Sequence, residues 1–316
     1  MYTIGIDVGG TNLKAGLVNE APEIVATSKM PLVWQSQEKL AADLAALAEE
    51  VVVKYGIGRE EVSAIGIGFP GAVDRRRGAV IHTVNIPIHD MPVVEMLQSR
   101  WEIPVFLGND ADCAALGEFY HYGSEEIESF VLVTLGTGIG TGIIIRGQIW
   151  SGHNGCGGEG GHMVIVHDGD LCTCGRRGCW ERYASANALI RQTRTAMEAD
   201  RGSTMWQMAE GSLENVSGRT AFEAMRAGDA AAKAVVDQYI RYLSDGLVNL
   251  INLLQPDVVC LGGGVSHERE EDLLLPVQRR VREISYDRLM GVPSTSIITA
   301  KLGNDAGIIG AALLGK

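Results

Sequence analysis

The sequence predicts a duplicated α/β fold, two α/β domains with a cleft between them. The first observation behind this is the segment "YTIGIDVGGTNLKAGLVNE", which alternates apolar and small residues, turns at Gly9-Gly10 and resumes, as a β-hairpin does. The second is its repetition. From Phe130, "FVLVTLGTGIGTGIIIRGQ" follows the same plan, and laying Gly9 on Gly136 aligns both strands and both turns without a gap. Glycine is also abundant, 40 of 316 residues, and clusters where strands finish, so tight loops are expected there.

Between the hairpins, "QEKLAADLAALAEEVVVKYG" places Leu40, Leu44, Leu47 and Val51 at helical spacing and stops at Gly56. "VSAIGIGFPG" reads as a buried strand, and "IPVFLGNDADCAALGEFYHYG" as strand, turn and helix. Beyond the second hairpin, "SANALIRQTRTAMEAD" starts a helix at a Ser185 cap. "DAAAKAVVDQYIRYLSDGLVNLINLLQP" is a long apolar helix stopped by Pro256. "DVVCLGGG" is a strand ending in a glycine loop, and "NDAGIIGAALLG" a closing helix. The expected division is residues 1–115 for the first domain and 116–303 for a larger second one, with the closing helix, residues 304–316, returning to the first.

Apolar residues make up 46% and charged residues 21%, the balance of a soluble globular chain. A net charge of -12 argues against a nucleic-acid partner, which needs clustered Lys and Arg. The one basic run, "DRRRG" at 74–78, reads as an exposed hairpin tip. No segment reaches the roughly 18 apolar residues of a membrane span, and no signal peptide is legible. A cytoplasmic protein with reduced thiols and no membrane partner is expected.

"GIGFPG" at 66–71 matches GxGxxG after a strand, but a hairpin pattern follows it, so no helix N-terminus is available for a pyrophosphate. "DVGGTN" is a stronger signal. Its glycines let backbone N–H groups approach an anion, Thr11 and Asn12 add donors, and Asp7 can hold Mg²⁺ through water. An ordinary glycine-rich hairpin is the alternative. "LGTGIG" and "LGGGVS" add two further loops of the kind, which suits a triphosphate, while the GxxxxGK[ST] motif of P-loop enzymes is missing. In "GNDADCAALGE", Asp110 stands before a helix as either its cap or a general base.

Cys172, Cys174 and Cys179 with His162 offer three thiolates and one imidazole, the complement of a closed structural zinc site. The CxC spacing disfavours a redox pair, and a reducing compartment disfavours a disulfide. Cys113, Cys156 and Cys260 are expected to be buried thiols.

"DVGGTN", "GFPGAVD", "NDADCAALGE", "GTGIGTGI", "GEGGH", "CTCGRRGCWE" and "LGGG" occur in the order seen in the ROK family (repressors, open reading frames and sugar kinases), and the chain resembles its glucokinases most. The resemblance spans the chain, and ExGH with CxCGxxGCxE is its most specific part. It implies an actin/hexokinase-type ATPase fold and an ATP-dependent kinase acting on the 6-hydroxyl of glucose, as a homodimer with Mg²⁺ and structural zinc. N-acetylglucosamine, N-acetylmannosamine, fructose and allose are the alternative acceptors, and polyphosphate the alternative donor. Asp110 is then the base, and Gly71, Asn85, Asn109, Glu159, His162 and Glu181 line the sugar, His162 serving zinc as well. Asp7, Gly9, Gly10, Thr11, Asn12, Lys14, Thr137, Gly138 and Gly263 surround Mg²⁺ and the ATP phosphates. After "VNIP" this chain has "IHDMPV", where many of these kinases carry an aromatic residue. The family's repressors carry a helix-turn-helix ahead of the first hairpin; here Met1 precedes the strand, and a regulator is the less favoured reading.

Overall fold

A computed structural model of the chain describes residues 1–83, 86–123, 126–292 and 294–316. The first elements in chain order are β1 (Tyr2–Val8), β2 (Asn12–Val18), β3 (Ile24–Pro31), α1 (Gln37–Tyr55) and β4 (Val62–Phe69). Next come β5 (Ala72–Asp74), β6 (Ala79–His82), β7 (His89–Met91), α2 (Val93–Trp101), β8 (Val105–Asn109) and α3 (Asp110–His121). The repeated hairpin is β9 (Ser129–Leu135) and β10 (Ile139–Ile145), followed by β11 (Gln148–Ile149). A helical stretch holds α4 (Glu181–Ala184), α5 (Ala186–Ala199), α6 (Met205–Met208), α7 (Thr220–Arg226) and α8 (Ala230–Leu254). The chain finishes with β12 (Val258–Gly262), α9 (Leu274–Ile284), β13 (Ser296–Thr299) and α10 (Ala306–Ala312).

These residues group into two compact units, one of 1–132, 142–158 and 301–316, the other of 133–141 and 159–300. A division at 115/116 would fall inside α3, which packs on α10 and stays with the first unit.

The first unit is built on a sheet of order β3-β2-β1-β4-β8. The hairpin pair β1–β2 and its neighbour β3 run antiparallel, whereas β1–β4 and β4–β8 are parallel. Parallel register sets Asp7 against Gly68 and Phe69 against Asn109, so three strands finish in one row at their C-terminal ends. Alternation along β1 gives the sheet two different faces. Ile4, Ile6 and Val8 join Leu40, Leu44, Leu47 and Val51 of α1 in one buried cluster. The α1 helix starts on Ser36, whose hydroxyl accepts from the Lys39 N–H, and ends on left-handed Gly56.

On the other face Gly5 and Gly66 leave room for α10 to lie directly on the strands. A Cβ on Gly5 would sit 1.9 Å from the Ile308 carbonyl oxygen, and one on Gly66 1.7 Å from that of Ala311. The approach of α10 to α3 is equally close, since a Cβ on Gly310 would sit 1.6 Å from the Cys113 carbonyl oxygen. Buried Glu118 of α3 accepts the N–H groups of Lys301 and Leu302 and so fixes the segment leading into α10.

A second sheet has the order β11-β10-β9-β12-β13, with β12 and β13 parallel. In the second unit the 25-residue α8 is capped by Asp229, whose Oδ1 accepts the Ala232 N–H at 2.9 Å. Gly246 interrupts its buried face and seats the Trp180 ring, which a Cβ there would meet at 2.1 Å. Trp180 donates its indole N–H to the Tyr242 carbonyl at 2.9 Å. No helix among the described residues is long and apolar enough to cross a membrane.

Gly66→Ala is expected to destabilise the protein by about 1–3 kcal/mol, because the methyl meets backbone that cannot turn aside. Gly264→Ala, where an added Cβ meets nothing within 4 Å, should stay within about 0.5 kcal/mol. Urea unfolding midpoints of the two variants measure the difference.

Candidate active site

Asn109 ends β8 and caps α3. Its Oδ1 accepts from the N–H groups of Ala111 at 2.8 Å and Asp112 at 3.3 Å, and its Nδ2 donates to the Gly71 carbonyl at 3.0 Å. The capping duty that the sequence leaves open for Asp110 therefore belongs to Asn109, and strand passes into helix with no intervening turn. Asp110 is the first residue of α3, half-buried, with Oδ1 accepting from Ala111 N–H at 3.0 Å. Burial raises its pKa above the ordinary carboxylate value, outweighing the backbone N–H groups of Ala111 and Asp110 and the Asn109 side chain, which lower it. A carboxylate so placed is a stronger proton acceptor than one in water.

Asp7 shares the row. Burial raises its pKa as well, opposed by the Lys14 ammonium and reinforced by the Asp110 charge. Lys14 pairs with Asp7 across the β1–β2 hairpin, Nζ lying 3.8 Å from Oδ2. Gly307 backs onto Asp7, and a Cβ there would lie 3.3 Å from the carboxyl carbon. The turn itself is held by the Gly9 N–H donating to the Asn12 carbonyl at 2.9 Å, and Gly10, Thr11 and Asn12 are exposed. Two half-buried carboxylates with raised pKa values form a set of hard oxygen donors that a divalent cation would satisfy. Gly71 has φ +93° and lies against the His82 carbonyl. Asn85 falls outside the described residues, while Ile86, Ile88 and Met91 of "IHDMPV" and its approach are buried in the core.

In the second unit, Gly136 to Gly138 form the turn of the repeated hairpin, with the Gly136 N–H donating to the Gly138 carbonyl at 3.1 Å. Thr137 is exposed at its tip. The third glycine loop abuts this turn, since a Cβ on Gly263 would lie 2.7 Å from Leu135 backbone. Glu181 reaches it too, with Oε2 only 2.5 Å from where a Gly138 Cβ would stand.

The ligand atoms of His162, Cys172, Cys174 and Cys179 all lie within 4.8 Å of one another. Cys174 Sγ is 3.6 Å from Cys179 Sγ, and Cys172 Sγ is 3.7 Å from His162 Nδ1. A zinc tetrahedron with Zn–S near 2.3 Å has S···S edges of about 3.8 Å, close to these two separations, so the donor set fits such an ion. Burial, helped by the hydrogen bond to Glu181, pushes the Cys172 thiol up to about 12. Cys172 Sγ donates to Glu181 Oε1 at 2.9 Å, which ties Glu181 to the cluster. Around it, the Trp180 N–H donates to the Met163 carbonyl at 2.7 Å, so the His162 and Glu181 segments run side by side. Glu159 is exposed immediately before the 3-10 turn Gly160–His162, which is anchored by the Gly160 N–H donating to Thr141 Oγ1 at 2.8 Å.

Cys113 and Cys260 are buried as expected, but Cys156 is exposed in the glycine-rich loop that follows β11. "GIGFPG" leads into the β5–β6 hairpin and not into a helix, as the sequence indicates. Thr134, Thr141 and Trp180 escaped the sequence reading. A signal existed for the first two: with Gly9 laid on Gly136, Thr134 takes the place of Asp7 and Thr141 that of Lys14. Thr134 Oγ1 accepts from the Gly140 N–H at 3.1 Å and stiffens the second turn.

The sequence matches the ROK family over residues 3–316. It is 37% identical over 320 residues to a glucokinase of Streptomyces coelicolor, covering 99% of this chain and 97% of that one. A ROK family glucokinase from Streptomyces griseus, solved in complex with glucose and AMPPNP, matches with a TM-score of 0.81 at 34% identity, covering 99% of each chain. A ROK hexokinase from Thermus thermophilus gives 0.82 at 34% identity, covering 99% of this chain and 97% of that one. The fold is accordingly the actin/hexokinase-type α/β fold of the ROK sugar kinases. Likeness of that extent, in sequence and in three dimensions, shows that the chain belongs to the ROK family.

Proposed function

We propose that this ROK protein is an ATP-dependent glucokinase, transferring the γ-phosphoryl group of ATP to the 6-hydroxyl of glucose to give glucose 6-phosphate and ADP. The observation that carries the reading is Asp110, a carboxylate at the row of strand ends, relieved of capping by Asn109 and made more basic by burial. Full-length similarity to glucokinases supports the choice of sugar and donor.

Asp110 accepts the proton of the 6-hydroxyl as its oxygen bonds to phosphorus and the bond to the ADP oxygen breaks. Gly9, Gly10, Thr11, Asn12 and Lys14, with Thr137, Gly138 and Gly263, hold the phosphates through backbone N–H groups, hydroxyls and one ammonium. Asp7 would hold Mg²⁺, which would supply charge neutralisation on the phosphates. Asn109 has one amide hydrogen left for a hydroxyl after its donation to Gly71. Glu159, His162 and Glu181 take the other hydroxyls, together with Gly71 and Asn85.

His162, Cys172, Cys174 and Cys179 would hold a structural zinc, because four protein ligands leave no open position. His162 turns Nδ1 toward Cys172, so Nε2 remains for the sugar. A cytoplasmic homodimer belongs to the same reading. Leu253 and Tyr286 are 77% and 66% exposed, and neighbouring Leu289 and Met290 add to an apolar surface suited to a second copy. ADP release measured across glucose, N-acetylglucosamine, N-acetylmannosamine, fructose and allose, with ATP or polyphosphate as donor, tests the specificity. Faster turnover of another hexose would displace glucose.

Asp110→Asn keeps the shape and cannot take the proton, so kcat should fall by roughly two to four orders of magnitude. Since the folded-state pKa of Asp110 is raised, its charge costs stability once pH rises through that value. At pH 7 the melting temperature of Asp110→Asn should therefore equal or exceed that of the parent. A near-normal kcat would rule out the base. Elemental analysis is expected to find one zinc per chain, lost in Cys174→Ala together with tight sugar binding; a parent protein without zinc would remove the metal from the account.

A further inference from the structure

The arginines of the one basic run have no place in the reaction above. Asp74 Oδ1 accepts the N–H groups of Arg76 and Arg77, both at 3.0 Å, and so fixes the tip of the β5–β6 hairpin. Arg77 is committed to Asp90, Nη2 lying 2.8 Å from Oδ1. Arg75 and Arg76 are exposed and have no acidic partner within ion-pair distance among the described residues. In a chain of net charge -12, two uncommitted guanidinium groups side by side make a local positive field against the background of the molecule.

They border a groove of about 800 Å³ in the first unit. Its lining also includes Asp74, Val94 of α2, Val105, Phe106 and Leu107 of β8 and the loop 151–155, and of the three β8 residues only Phe106 is exposed. Phe106 is 36% exposed there, presenting an aromatic surface. The backbone N–H groups of Gly152, His153, Asn154 and Gly155 make no hydrogen bond among the described residues. An aromatic surface beside a few polar groups is the usual make-up of a small-molecule site, and the guanidinium groups of Arg75 and Arg76 and the unpaired N–H groups of the 151–155 loop are donors suited to phosphate.

We propose that this groove is a second ligand site, taking a small organic molecule that carries two phosphate groups. Arg75 and Arg76 hold one phosphate, the 151–155 loop faces the other, and the carbon skeleton lies on Phe106. A single phosphate would fill little of the volume, and an inorganic chain would leave the Phe106 ring uncovered. None of the residues given a part in phosphoryl transfer lines the groove, so the site stands whichever sugar the enzyme uses.

Calorimetric titration at low salt, with fructose 1,6-bisphosphate and inorganic pyrophosphate as separate probes, tests this. The bisphosphate should bind with a Kd below about 1 mM, and at least about tenfold more weakly to Arg75→Gln/Arg76→Gln. Added NaCl should weaken binding, since the guanidinium groups are exposed. Phe106→Ala should weaken the bisphosphate and leave pyrophosphate unchanged. The double variant should keep the parent kcat and the KM values for glucose and ATP. The proposal fails if neither probe binds below about 1 mM, or if the double variant binds the bisphosphate as the parent does. It fails also if Phe106→Ala treats both probes alike, which marks an inorganic anion site, or if basal kinetics change in the double variant.

Discussion

The contact of α10 with the first sheet and with α3 is the constraint on which the first unit depends. Backbone meets backbone there, with Gly5 and Gly66 on the strands and Gly117 and Gly310 between the helices, and any side chain would hold the layers apart. Because α3 is pinned by α10 at one end of this stack, its first residues stand where β8 finishes. That puts Asp110 in line with Asp7, whose strand is covered by the same helix. Gly307 of α10 closes the back of Asp7, so the packing constraint and the chemistry meet in one helix of seven residues.

In the second unit the corresponding organiser is the knuckle around His162 and the three cysteines. Its size is too small for a core of its own, and it is tied down by one large anchor, Trp180, in the notch that Gly246 cuts into α8. Glycine inside a helix costs roughly 1 kcal/mol against alanine, a cost that the buried indole and its hydrogen bond to Tyr242 offset. Glu181 follows Trp180 directly, so the anchor also sets the start of α4 and the position of that carboxylate.

Much of this was legible in the sequence because it depends on local rules. Helix α1 announces itself by its Leu40, Leu44, Leu47 and Val51 spacing, and its end by Gly56; Ser185 caps α5 as its position suggests. The duplicated hairpin is visible because a turn of glycines leaves little freedom in alignment. The cluster of His162 and three cysteines is visible because thiolates and imidazole at short spacing have few other uses. What stayed hidden depends on tertiary contacts. Whether Asn109 or Asp110 caps α3 turns on the Gly71 carbonyl, which the fold brings up from the bend between β4 and β5. The 115/116 division cut α3 because nothing within that helix says that α10 will pack on it. Cys156 looks like a core thiol by residue type, yet its loop gives it no cover.

The return of α10 also has a consequence for the order of events on the ribosome. Strands β1 to β4 and β8 leave the exit tunnel long before Ala306–Ala312 has been made, and domains fold as they emerge. Until then α3 reaches this face only at Gly68 and Gly108, Gly5 and Gly66 lack their cover, and Val18 lacks Ile308 and Ala312, the partners of its small apolar cluster. The nascent chain thus spends most of its synthesis with part of one side of the first sheet wet, and the first unit is completed only as translation nears its end.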